Sequence, residues 1–150
     1  MQARARLRVP SPVIRSSPKP EELQLVGLPT WLWIDRGVWS PRSKPVAVPG
    51  VSVTVTDRPT RVVWTTGDGA QVSCDGPGTV WRPGMGARGA SPSCGHTFRR
   101  PFEHVRVGAV IAWRVSWSGT GGGGRLPDLH SSASRGFRVG ESQTLVTSDR

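Results

Sequence analysis

The side chains able to do chemistry in this chain are few and widely spaced. Asp68 lies between Gly67 and Gly69, and in such a turn an aspartate first serves the local backbone, accepting its N–H groups. His96 follows Cys94 by two residues, which supplies the residue types of a thiol and imidazole pair. A sulfur held in a disulfide cannot attack, and the alternative is a turn histidine bonded to backbone. Asp128, His130, Ser131 and Ser132 include the types of a hydrolase triad, yet they crowd one segment with no Gly-x-Ser-x-Gly elbow to raise the serine. The glycine run ending at Arg125 is no phosphate loop, because Lys19 and Lys44, the chain's two lysines, do not follow a glycine. The chain reads as non-enzymatic, with no catalytic residue, no metal site and no cofactor.

Cys74 and Cys94, 20 residues apart, are the two cysteines. In an oxidising compartment they pair and staple the connection between them, worth about 3 kcal/mol on the chain-entropy account. Two free buried thiols remain the alternative. A zinc site built with His96 and His104 has no Cys-x-x-Cys and matches no common finger or ribbon. Among the seven tryptophans, Trp64, Trp113 and Trp117 fall at inward positions of regular strands. Trp31, Trp33, Trp39 and Trp81 lie in less regular segments and are the possible binding aromatics, since an exposed indole stacks on sugar rings or nucleobases.

Composition bounds the frame that must carry these residues. At 150 residues the chain is one domain able to bury a core. With 19 glycines, 14 prolines, no tyrosine and apolar content dominated by Val and Trp, strands and turns are favoured over helices. The net charge of +10 is carried almost wholly by arginine, attractive to nucleic acid or another polyanion. No recognition-helix pattern accompanies it. No apolar run is long enough to span a bilayer as a helix.

Residues 1–22, with Arg4, Arg6, Arg8, Arg15 and Lys19 among prolines and serines, read as a disordered basic arm or linker. The folded domain is expected over 23–150. Trp31 and Trp33 fall on one side of an extended segment, Leu32 and Ile34 on the other, so this strand needs cover on both faces. Residues 39–49 contain Pro41, Pro45 and Pro49 and are not a central strand. Val51 to Thr56 alternates with its valines inward, Asp57-Arg58-Pro59 is read as a turn, and Arg61 to Thr66 as the partner strand. Residues 75–93 form a long Gly/Pro-rich loop anchored by Trp81. Val105 to Trp117 alternates over seven apolar positions and predicts a long strand at the centre of a sheet. A flexible glycine tip at 118–124 and a last strand near 137–147 complete the expectation.

Trp64 followed by Gly67-Asp68-Gly69, with His96-Thr97-Phe98 ahead of the long strand, resembles the polycystic kidney disease (PKD) domain, an Ig-like antiparallel β-sandwich. The resemblance covers about Val51 to Ile111 and departs at Phe98, where Tyr is usual, and in the length of the cysteine-bearing loop. The chain is also similar to bacterial exported proteins of unknown function at Leu28 to Trp33 and Val139 to Gln143. The resemblance implies a non-enzymatic interaction module, secreted or at the cell envelope, contacting protein or polysaccharide or acting as a spacer. The amino terminus is basic without a following hydrophobic segment, so an exported form is expected to carry a leader upstream of Met1. The alternative is a cytoplasmic binder of nucleic acid or another polyanion through the arginines.

Overall fold

The computed structural model describes residues 8–86 and 88–141. Among these residues nine strands follow one another: β1 (Ile14–Ser17), β2 (Leu23–Leu25), β3 (Pro29–Ile34), β4 (Arg42–Val48), β5 (Val51–Thr65), β6 (Gln71–Cys74), β7 (Gly95–Thr97), β8 (Phe102–Gly119) and β9 (Gly122–Gly140). The described residues contain no helix, so the chain is all-β. A small sheet has the order β1-β3-β7, and a large one has the order β2-β9-β8-β5-β4 with β6 added beside β5. Pairing is antiparallel throughout except for β2 against β9, which is parallel.

One apolar cluster joins the two layers. It contains Ile14, Leu32 and Ile34 of the small sheet and Val62, Trp64, Val107, Ile111, Trp113 and Phe137 of the large one, together with Cys74, Cys94 and Phe98. The long alternation read from Val105 to Trp117 is β8, flanked on both sides by β5 and β9. Burying one parity of an 18-residue strand between two neighbours accounts for its central place.

Four expectations change. Asp57-Arg58-Pro59 is no turn: β5 runs unbroken from Val51 to Thr65, pairing with β8 along its length. A bulge between Pro59 and Arg61 absorbs Thr60 as an extra residue, and its hydroxyl donates to the Ala112 carbonyl at 3.0 Å. The bulge shifts the inward set from Val55 and Asp57 to Val62 and Trp64. The glycines at 122–124 belong to β9, which closes tightly on β8 with Gly119 opposite Gly122, so the last strand begins some fifteen residues before the expected position. Its predicted continuation past Glu141 lies outside the described residues.

Part of the segment expected to be a disordered arm is a strand, while its first seven residues, with Arg4 and Arg6, lie outside the described residues. Ile14 to Ser17 pair with Trp31 to Ile34, and Ile14 enters the core because its alternation with Arg15 and Ser16 matches the open edge of β3. Pro45 sits on β4 at the rim of the large sheet, the place where a missing N–H costs least.

Candidate functional site

β3 needs cover on both faces, and the chain supplies it from two directions. Leu32 and Ile34 are buried against the large sheet, whereas the other face is covered by the 75–94 loop. The loop is tied down at several points. The Cys74–Cys94 disulfide has its Cα atoms 5.9 Å apart, and the Leu32 and Ile34 N–H groups donate to the Cys94 and Pro77 carbonyls. The Arg36 guanidinium donates to the Gly78 carbonyl at 3.0 Å. Gly78 has φ of 95°, and a Cβ there would meet the Leu32 carbonyl oxygen at 2.5 Å and Trp33 Cβ at 2.8 Å. A side chain at position 78 would push the loop off the strand.

This packing divides the candidate tryptophans. Trp31 is 6% exposed and its indole N–H donates to the Gly89 carbonyl at 2.7 Å, so it anchors the loop and presents no free face. Trp39 packs against the core cluster. Trp33 and Trp81 instead line one cleft of about 400 Å³ together with Arg15, Lys19, Glu21, Glu22 and Arg135. Trp81 is fixed by its own loop, its indole N–H donating to the Gly86 carbonyl at 2.9 Å. Of the inward set, Trp64 and Trp113 are fully buried, while Trp117 is half-buried and its indole lies across Gly124, its cross-strand partner.

The opposite wall of the cleft is the turn after β1, and a buried amide shapes it. Gln24, with no exposed surface, places its NH2 within 3.2 Å of the Pro18, Lys19 and Glu22 carbonyls. Its carbonyl oxygen accepts from the Thr30 hydroxyl at 3.0 Å. Glu22 closes the turn further by accepting the Lys19 N–H at 2.9 Å. Arg15 is held by Asp35, 3.0 Å away. The Gly37 N–H and then Arg15 hold the Asp35 carboxyl below its ordinary range. Arg135, at an inward position opposite Val107, reaches Glu21 at 3.8 Å. Two indoles, two carboxylates and three cations therefore face one space. Reading 1–22 as disordered hid Arg15, Lys19, Glu21 and Glu22, and the one available signal was the short alternation at Ile14 to Ser17.

The two sequence motifs meet at a different place. His96 Nε2 lies 2.7 Å from Asp68 Oδ2, with both side chains largely buried. The Thr66 hydroxyl and Ala70 N–H donate to Asp68 Oδ1 at 2.6 and 3.3 Å. Burial raises the Asp68 pKa, but the Thr66, His96 and Ala70 hydrogen bonds and the nearby imidazole outweigh it, leaving the carboxyl below its usual value. Gly67, at φ 82°, has no room for a side chain: a Cβ would strike Val105 and sit 2.6 Å from the Arg106 carbonyl oxygen. His96 also packs edge-on against Phe98, ring centroids 4.8 Å apart, and Phe98 is a core residue at 1% exposure. Phe98 needs no hydroxyl there.

A second cleft of about 520 Å³ touches Asp68, His96, Thr97, Ser91 and Arg99. Two hydroxyl side chains line it, Ser91 and Thr97, and Ser91 Oγ accepts the Ser93 and Cys94 N–H groups. The Asp68–His96 pair ties the β5–β6 turn to β7, and among the described residues the imidazole's side-chain hydrogen bond is to that carboxylate. His130 and Ser131 lie on opposite faces of β9, opposite Ala112 and Ile111. Ser131 Oγ accepts the Trp113 indole N–H at 3.0 Å. His104 stands exposed at the start of β8. No group of three or more metal-ligating side chains occurs among the described residues, and no helix there is long and apolar enough to cross a membrane.

Set beside known proteins, the chain matches no family model, no curated protein and no solved structure.

Proposed function

We propose that this chain is a non-catalytic, PKD-like interaction module of an exported protein, and that it holds a saccharide ring of a polysaccharide in the cleft between Trp33 and Trp81. The observation that carries this reading is the convergence of those two indoles, 48 residues apart in sequence, with Glu21, Glu22, Lys19 and Arg135 on one concave surface. A sugar offers a flat C–H face for an indole and a rim of hydroxyls for carboxylate and guanidinium groups. A few polar groups around an apolar floor are the usual makings of a small-ligand cleft. The cleft walls are fastened by Gln24 on one side and by the disulfide-stapled loop on the other. Such fastening keeps the ordering cost of binding low. The buried Cys74–Cys94 bridge favours an oxidising compartment over the cytoplasmic alternative, and secretion or a place at the cell envelope follows as part of the proposal.

Pull-down on cellulose, chitin and peptidoglycan tests it. Retention on at least one is expected, and Trp33→Ala or Trp81→Ala should weaken it tenfold or more, about 1.4 kcal/mol, with the circular dichroism spectrum unchanged. Retention on none of these polymers, or retention indifferent to both substitutions, removes the carbohydrate reading.

A further inference from the structure

The outer face of the large sheet, turned away from the core and from the tryptophan cleft, carries a cationic field of its own. Arg58 of β5 stands directly opposite Arg114 of β8, and Arg61 stands opposite Ala112. Residues 58 and 61 would point to opposite faces of a regular strand. The extra residue at Thr60 brings both to the solvent side, the re-aiming that bulges perform. Arg106 lies on the same side of β8, its guanidinium 3.8 Å from the Cβ position of Gly136 across the strand pair. All four arginines are exposed, and among the described residues none forms an ion pair. Other outward positions here include Thr56, Val63 and Thr65 on β5, Gln71 and Ser73 on β6, Gly108, Val110, Ala112 and Ser116 on β8, and Arg125, His130, Ser132 and Ser134 on β9. No carboxylate stands among them, and Asp75, one residue past the Cys74 that pairs with Val62, forms no ion pair with Arg61 among the described residues. Asp128, at the edge of this area, is engaged by Arg125 at 3.4 Å.

Like charges placed directly across a strand pair oppose folding, so the Arg58–Arg114 pairing costs the free chain stability that an anionic partner would return. We infer that this face binds an extended acidic polysaccharide. From Arg106 to Arg114 the row is about 27 Å long at the rise of an antiparallel strand, which suits a linear chain rather than a single small anion. Hydroxyls of Thr56, Thr65, Ser116, Ser132 and Ser134 alternate with the guanidinium groups and match a polymer that is itself hydroxylated. These outward positions hold no Trp or Phe and a single ring, His130, so single-stranded nucleic acid finds no row of stacking platforms. No helix of the described residues is available to enter a duplex groove.

Heparin chromatography and titration with heparin oligosaccharides provide the test, using the full chain. Wild-type protein should bind with an affinity that falls steeply with salt. The double variant Arg58→Ser, Arg114→Ser should bind at least tenfold more weakly at about 0.1 M salt and show a flatter salt dependence. Serine occupies neighbouring outward positions, so this variant should melt no lower than wild type, and Arg61→Ser alone gives a smaller loss of the same kind. The charge-matched variant Arg82→Ser, Arg99→Ser should bind as wild type, and so should Trp33→Ala, which separates this face from the cleft. Equal losses in the two double variants would reduce the effect to net charge and overturn the assignment. It would equally be overturned by unchanged binding in Arg58→Ser, Arg114→Ser, by loss in Trp33→Ala, or by tighter binding to duplex or single-stranded DNA than to heparin.

Discussion

On one side of the Thr60 bulge, β5 and β8 press Val62, Trp64, Ala109, Ile111 and Trp113 into a cluster shared with Ile14, Leu32 and Ile34 of the small sheet. On the other side the same strands turn Val53, Val55, Asp57, Val115 and Trp117 to the same face, and none of these belongs to that cluster. Both halves alternate, and both pair across β5, β8 and β9, with register shifts between β8 and β9 at Phe102/Val105 and Trp113/Val115. What separates them is the cluster shared with the small sheet, which covers the first half. The second half buries Val55, Asp57 and Val115 to 1%, 4% and 0% exposure outside that cluster, and there the Trp117 indole lies across Gly124. Alternation in a strand specifies a face, and the strand that will cover that face is specified elsewhere in the chain.

The largest difference between the halves should appear in their tryptophans. Trp64→Ala removes a fully buried ring from the two-layer half and should cost about 3–5 kcal/mol in urea unfolding. Trp117→Ala, in the half outside the cluster and itself only half-buried, should cost about 1 kcal/mol. Trp64 carries a further mark of its site: its buried indole nitrogen has no hydrogen-bond partner among the described residues, while Trp113 donates to Ser131. Trp64→Phe should therefore cost well under half of the alanine change, because it removes an unsatisfied donor along with part of the ring. Equal losses for Trp64→Ala and Trp117→Ala would show that the halves inside and outside the cluster are equivalent after all.

Next in size is the disulfide, which serves the covered half alone. Cys74→Ser with Cys94→Ser releases the loop that shields the outer face of β3 and should destabilise by about 3 kcal/mol. Proteolysis of the double variant should begin within 75–94, because Trp31 loses the backing of that loop. Cleavage beginning in the β8–β9 turn instead would place the weaker half elsewhere.

Much of this arrangement was legible in the residues. The all-β class, β8, the edge position around Pro45 and the pairing of the two cysteines follow from alternation, proline chemistry and cysteine count. The Gly-Asp-Gly turn was legible as well, since Gly67 has both a positive φ and no room for a Cβ. Other features depend on partners distant in sequence. Asp57-Arg58-Pro59 has turn composition, yet continuous pairing with Arg42 on one side and Val115 on the other keeps it extended. The Trp33 and Trp81 cleft has the same character: its second wall comes from residues whose composition resembles a linker, held in place by one buried glutamine.

The smallest effect sharpens the comparison most, because each half holds one buried carboxylate and their shifts run in opposite directions. Asp57, 4% exposed in the half outside the cluster, has Oδ1 buried with no hydrogen-bond partner among the described residues. Burial raises its pKa, and the nearby Arg42 charge only partly counters this. A carboxyl whose native pKa lies above its unfolded value of about 3.9 costs stability at neutral pH, and that cost is relieved as pH falls through the native pKa toward the unfolded one. Asp57→Asn should accordingly stabilise by about 1 kcal/mol at pH 7 and lose this advantage on acidification. Asp68, in the covered half, is lowered by its hydrogen bonds despite burial. Its contribution is complete above the unfolded pKa and disappears as pH falls below about 3.9 through the native value. Asp68→Asn should therefore destabilise by about 1 kcal/mol at pH 7 and flatten the acid limb of the stability curve. Melting temperatures of the two variants between pH 7 and pH 3 should converge on wild type as pH falls, one from above and one from below. Curves that shift in the same direction would mean that the two carboxylates share one environment, and the division of the sheet at Thr60 would lose its electrostatic counterpart.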